Sequence, residues 1–112
     1  MANVADNRTL IALISDEDTA TGLLLAGIGH RNFFIVTSTT NVSEIESAFQ
    51  TFTQNRGDIA ILLITQPLAE KIRQICDRYE QAFPAVLEIP SKDAPYDPSK
   101  DSILKRVQKV ST

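Results

Sequence analysis

At 112 residues, 43% hydrophobic, 22% charged and with a formal charge of −3, the chain has the composition of one soluble globular domain with a single core. Its mildly acidic balance offers no basic face to nucleic acid. Its longest apolar run, residues 59–64, falls far short of the ~20 residues needed to span a bilayer. The first residues, MANVADNRT, lack the basic-then-apolar pattern of a secretion signal. One cysteine, Cys76, admits no internal disulfide, so a reducing, cytosolic setting is expected.

Apolar runs of strand length alternate with helical patterns, which predicts βαβ units around a parallel sheet. The first strand is expected over residues 9–14. Asp18, in the SDED that follows, is the expected N-cap of a helix through TATGLLLAGI, with Gly27 and Gly29 as stop signals. NFFIVT, residues 32–37, reads as the second strand. In TTNVSEIESAFQTF, Val42, Ile45, Phe49 and Phe52 recur at helical spacing, and Asn41 with Glu44 forms a capping box. The turn Asn55-Arg56-Gly57-Asp58 leads into IAILLI, an unbroken apolar strand suited to the centre of a sheet covered on both faces. Pro67 fits the first turn of a third helix. Leu68, Ile72, Ile75, Tyr79 and Phe83 form its apolar stripe; Lys71, Arg73, Asp77, Arg78 and Glu80 lie on its wet side. AVLEI, bracketed by Pro84 and Pro90, reads as an edge strand. Right-handed crossovers then give an α/β fold: a four-stranded parallel sheet in the order 2-1-3-4 with helices on both faces.

Three units are expected along the chain: a compact domain over 1–90, an extended proline-containing linker over 91–97, and a C-terminal helix over 98–112. Pro95 and Pro98 hold the linker extended. Asp97 can cap the last helix, with Pro98 at its first position and Asp101 near its N-terminal dipole. Ile103, Leu104, Val107 and Val110 fall on one side of that helix, with Lys105, Arg106 and Lys109 on the other. A helix of this length is marginal in water by itself. Its apolar side must therefore rest either on the chain's own sheet or on a partner, and the residues alone leave both open. Tyr96, between two prolines, is either a local packing residue or a partner's anchor.

The acidic Asp16, Glu17 and Asp18 stand at the carboxyl end of the first strand, where open α/β sheets bind ligands. They are the best candidates for a divalent cation site. The arrangement resembles the receiver domains of bacterial two-component systems, with Lys92 in the place of their lysine. Those domains also need an acceptor aspartate after the third strand, and here Thr65 and Gln66 stand there. Phosphoryl transfer is thereby excluded, and a helix start with solvated carboxylates is expected. The alternative is a degenerate receiver-like module that binds a ligand or cation at this end. Gly22, Gly27 and Gly29 sit inside and after the first helix, so they do not form the phosphate loop of a dinucleotide fingerprint. His30 has no second metal-binding partner nearby. Cys76 lacks the basic neighbour that activates a thiol. No catalytic set, metal or cofactor is expected.

Three stretches, TLIALISDEDTATGLLLAGIG, DIAILLITQPLAEKIR and FPAVLEIPSKDAPYDPSKDSILKRV, resemble the small F subunit of eukaryotic V-type proton-pumping ATPases. The likeness runs from Arg8 to about Val110, and PAVLEIPSK followed by PYDPSKDSILKR is its most specific part. The resemblance implies a non-catalytic, single-copy component of the central rotor of the soluble V1 sector. Such a component pairs with the coiled-coil D subunit and makes transient contacts with the ring of A and B subunits, where ATP is hydrolysed. It would stand at the base of the stalk beside the membrane sector, without entering the bilayer, on the cytosolic face of vacuolar membranes and endomembranes. The resemblance also assigns the C-terminal helix to the partner. Tyr96, Ile103, Leu104, Val107 and Val110 would then make the apolar contacts, and Lys105, Arg106 and Lys109 salt-sensitive ones. One departure is visible: only His30 and Arg31 separate GIG from NFF, where family members commonly carry a longer loop. Contacts made by that loop are not carried over.

Overall fold

The computed structural model describes residues 8–27, 32–92 and 97–100. In it the apolar runs become four parallel strands, β1 (Leu10–Ser15), β2 (Phe33–Ile35), β3 (Ile59–Thr65) and β4 (Ala85–Ile89). Their order is β2-β1-β3-β4, the simplest order for right-handed crossovers with helices on both faces. β1 and β3 are flanked on both sides, and Ala12, Leu13, Ile14, Leu62 and Ile64 are fully buried. That is where unbroken apolar strands belong. β4, confined by Pro84 and Pro90, takes the edge.

The connections are α1 (Glu17–Leu25), α2 (Val42–Gln50), α3 (Gln66–Lys71) and α4 (Arg73–Arg78). α2 runs on into a π-helical turn at Thr51–Asn55. A short 3₁₀ turn occupies Pro98–Lys100. Alternation along the strands sends Ala12, Ile14, Leu62, Ile64 and Val86 to one face. There they form one core with Ile45, Phe49 and Phe52 of α2 and its π turn, and with Leu68, Ile72, Cys76 and Tyr79 beyond β3. Phe49 and Tyr79 meet edge to face, with centroids 5.8 Å apart, a favoured aromatic geometry. Leu13 and Ala20, both buried, stand outside that cluster, on the face covered by α1. That cover is partial. Ile61, Leu63, Ala85 and Ile89 are only half-buried there, and Leu87 is 43% exposed.

Several local expectations change. The cap of α1 is Asp16, not Asp18, because β1 extends one residue further, to Ser15. Asp18 sits instead in the first turn, where a carboxylate still favours the helix dipole. The helix ends before Gly27, whose φ of 96° is a left-handed conformation that glycine adopts freely. The capping box of α2 forms as expected, with Glu44 N–H donating to Asn41 Oδ1 at 2.9 Å. Val42, however, leaves the apolar stripe and is 44% exposed. The third helix is two short ones, broken at Ile72 (φ −120°, ψ 33°) and finished at Tyr79 (φ −72°, ψ 120°). Pro84 bars helix from the residue before it, and the Tyr79 hydroxyl donates to the Pro84 carbonyl. Phe83 therefore falls outside the stripe and is exposed, while Cys76 is buried and Ile75 packs partly buried against the same core. Arg73, expected on the wet side, turns inward to a carboxylate on β4.

Candidate functional site

At the carboxyl end of the sheet, β1 delivers Asp16 into the start of α1. Both its oxygens are engaged by one residue: Thr19 N–H donates at 3.0 Å and Thr19 Oγ1 at 2.7 Å. Burial pushes the Asp16 pKa up, but the Thr19 hydrogen bonds and the Lys92 charge outweigh it, so the carboxyl titrates below its ordinary value. Lys92 pairs with Asp18, and both side chains are largely exposed. The receiver-like juxtaposition of acid and lysine is therefore present as an ion pair. Among the described residues, no three His, Cys, Asp or Glu side chains gather as a metal-binding group. The cavity at this end, lined by Asp16, Val36, Thr65, Pro67, Leu68 and Ser91, holds about 160 Å³, below the ~300 Å³ where small-molecule sites begin. A more open groove of about 420 Å³ between β2 and α2 has Glu44 as its one ionisable side chain. Cys76 is buried, and burial pushes its thiol up to about 12, so at neutral pH it is protonated and unreactive.

A second polar cluster lies where β3 and β4 end. β4 alternates, so Glu88 shares the buried face with Val86, and its side chain is 3% exposed. Arg73, at the start of α4, meets it with a fork: Nη1 to Oε2 at 2.7 Å and Nη2 to Oε1 at 3.2 Å. Arg73 Nη2 also reaches Glu70 at 2.5 Å. Burial lowers the Arg73 pKa, but Glu88 and Glu70 outweigh it, leaving the guanidinium more firmly charged than usual. From the other side, Gln66 Nε2 donates to Glu88 Oε1 at 3.2 Å. The same amide grips a residue far along the chain, Asp97, through its backbone: Gln66 Nε2 donates to the carbonyl and Gln66 Oε1 accepts from the N–H, each at 2.7 Å. Asp97 in turn opens the 3₁₀ turn, its Oδ1 accepting from Ser99 N–H at 3.0 Å and Ser99 Oγ at 2.7 Å.

Sequence reasoning missed this cluster. One signal was available: the alternation of AVLEI places Glu88 on the core side, where a carboxylate needs a cation or donor. The expected partner-contact residues Tyr96, Ile103, Leu104, Lys105, Arg106, Val107, Lys109 and Val110 lie outside the described residues, as do Gly29, His30 and Arg31 of the short connection.

Comparison with known proteins places the sequence in a family. The sequence pattern of the ATP synthase (F/14-kDa) subunit family matches residues 11–107. The F subunit of the V-type proton ATPase of Neosartorya fischeri is 60% identical over 111 residues, covering 92% of this chain and 90% of its own. That of Saccharomyces cerevisiae is 57% identical, covering 96% of this chain and 98% of its own. The human protein of the same name is 50% identical, covering 97% and 96%. At these identities over nearly the full length, the chain belongs to the family of V-type proton ATPase F subunits.

Proposed function

We propose that the chain is a non-catalytic rotor component in the central stalk of the V1 sector, coupling ATP hydrolysis by the A and B subunits to proton transport. In this reading it pairs with the coiled-coil D subunit, touches the A/B ring transiently as it turns, and stands at the stalk base beside the membrane sector. Its place is the cytosolic face of vacuolar membranes and endomembranes. The observation that carries the reading is the 50–60% identity to V-type proton ATPase F subunits along nearly the whole chain. The chemistry of the described residues is in keeping with it: Asp16 is engaged by Thr19, Asp18 pairs with Lys92, and the thiol is protonated. Among the described residues no helix is long and apolar enough to cross a membrane.

Attachment is assigned to the C-terminal segment. Residues 1–90 form the domain, 91–97 the linker, and 98–112 a helix that lays Ile103, Leu104, Val107 and Val110 on the coiled coil, with Tyr96 as an anchor. Burying each aliphatic side chain contributes about 1.5–3 kcal/mol before ordering costs. Lys105, Arg106 and Lys109 supply salt-sensitive contacts at the rim.

The test is the double variant Ile103→Asp/Val107→Asp, which places two charges in an apolar contact. It should keep the parent's circular dichroism spectrum and melting temperature, lose stable pairing with the coiled-coil partner, and leave the assembled pump without coupled ATPase and proton transport. If the isolated domain unfolds, the segment belongs to its core. If pairing survives at parental affinity, the partner is held elsewhere.

A further inference from the structure

The Gln66 side chain treats Asp97 as a neighbouring strand would. A carboxamide carries a donor and an acceptor side by side, and here they close on the N–H and C=O of one residue, both at 2.7 Å. Such a grip reads backbone and not side chain. Nor can the amide turn over. Its Nε2 also donates to Glu88 Oε1 at 3.2 Å, and Arg73 fixes that carboxylate from the far side. Flipped, the amide would set its oxygen against a carboxylate and its NH₂ against the Asp97 N–H, losing all three bonds. Gln66 itself is 4% exposed, so water does not substitute readily for its partners.

The position of the grip matters as much as its strength. Thr65 pairs with Ile89 across β3 and β4, and the next residue, Gln66, pairs with Asp97. The chain that leaves the sheet after Ile89 is thus back at the same strand end eight positions later.

We propose that Gln66 is the positioning residue for the C-terminal segment: through the Asp97 peptide it fixes where that segment departs, so a partner meets it already registered to β3. The consequence for partner binding rests on the reading of the C-terminal segment given above, whereas the clamp itself does not.

The measurement is amide hydrogen exchange on the ¹⁵N-labelled full chain. In the parent, the Asp97 amide should exchange at least about tenfold more slowly than an unstructured peptide, as a bonded, locally closed N–H does. Exchange at the free rate overturns the proposal with no variant needed. Gln66→Met keeps the length and apolar stem and removes both bonds to Asp97 together with the one to Glu88. It should release Asp97 to the free rate while amides of β1 and β3 keep their protection. It should also weaken pairing with the coiled-coil partner by roughly three- to tenfold, the cost of ordering a segment no longer held in place. If Asp97 is released and the affinity is parental, the positioning role is overturned. If Ile103→Asp/Val107→Asp also binds normally, the reading of the segment has failed, and Asp97 exchange still judges the clamp. Should Gln66→Met not fold, protection of Asp97 in the parent supports the clamp and free exchange refutes it.

Discussion

A side chain can cap a helix only from the last non-helical position, and the extra residue at the end of β1 gives that position to Asp16, leaving Asp18 inside the first turn. Asp16→Ala should therefore lower stability by about 1 kcal/mol in urea denaturation at neutral pH. Asp18→Ala, which loses an exposed pair with Lys92, should stay within about 0.5 kcal/mol. The two also differ in their response to acid. The Asp16 pKa is depressed on folding from its ordinary 3.8, so its contribution is fully present above that value and is lost as pH falls through the lower, folded pKa. The Asp16→Ala deficit should shrink between pH 7 and pH 3; a constant deficit would show that the carboxylate's charge contributes nothing. What was legible at this scale was what is local. The Asn41–Glu44 capping box spans four residues and was readable, whereas the partners of Glu88, Gln66 and Asp97 lie 15 to 31 positions apart. No periodicity announces such pairs.

The strands were readable as elements because each is a short apolar run with a punctuated end, and AVLEI between its prolines appears residue for residue as β4. The third helix was misjudged for a reason periodicity cannot supply. Leu68, Ile72, Cys76 and Tyr79 follow helical spacing closely enough to share one buried face, yet the backbone breaks at Ile72 and α4 starts anew. The restart brings Arg73 beside Glu88, tying α4 to the edge strand. That tie can be measured. Arg73→Ala leaves a carboxylate with a 3% exposed side chain short of its cation and should cost about 3 kcal/mol in urea denaturation. Arg73→Lys, which keeps the charge but not the fork, should fall between. Loss below 1 kcal/mol in the alanine variant would mean that water reaches Glu88 and the tie is weak.

For the molecule as a whole, right-handed crossovers with helices on both faces made this strand order the simplest one, although handedness itself fixes only the face each helix takes. They did not disclose how unevenly its faces are covered. Alternation says which residues share a face, but the depth of cover depends on helix length and placement, and α1 buries little beyond Ala20. The strand ends do carry a plain chemical message. β1 opens into SDED and β3 into Thr65, Gln66 and Pro67, so neither offers a glycine-rich phosphate loop. Calorimetric titration of the isolated chain with ATP or ADP should therefore give no saturable heat in the micromolar range, with or without magnesium; a micromolar dissociation constant would reopen the receiver-like alternative. The grip of Gln66 on Asp97 also has a mechanical side. An edge strand pulled from its end peels one hydrogen bond at a time. Tension arriving along the C-terminal segment meets Asp97 before it meets β4, and Gln66 hands it to Thr65 and β3, a strand laddered on both sides. The load enters the sheet near its middle, where several bonds must yield together, and the edge is spared.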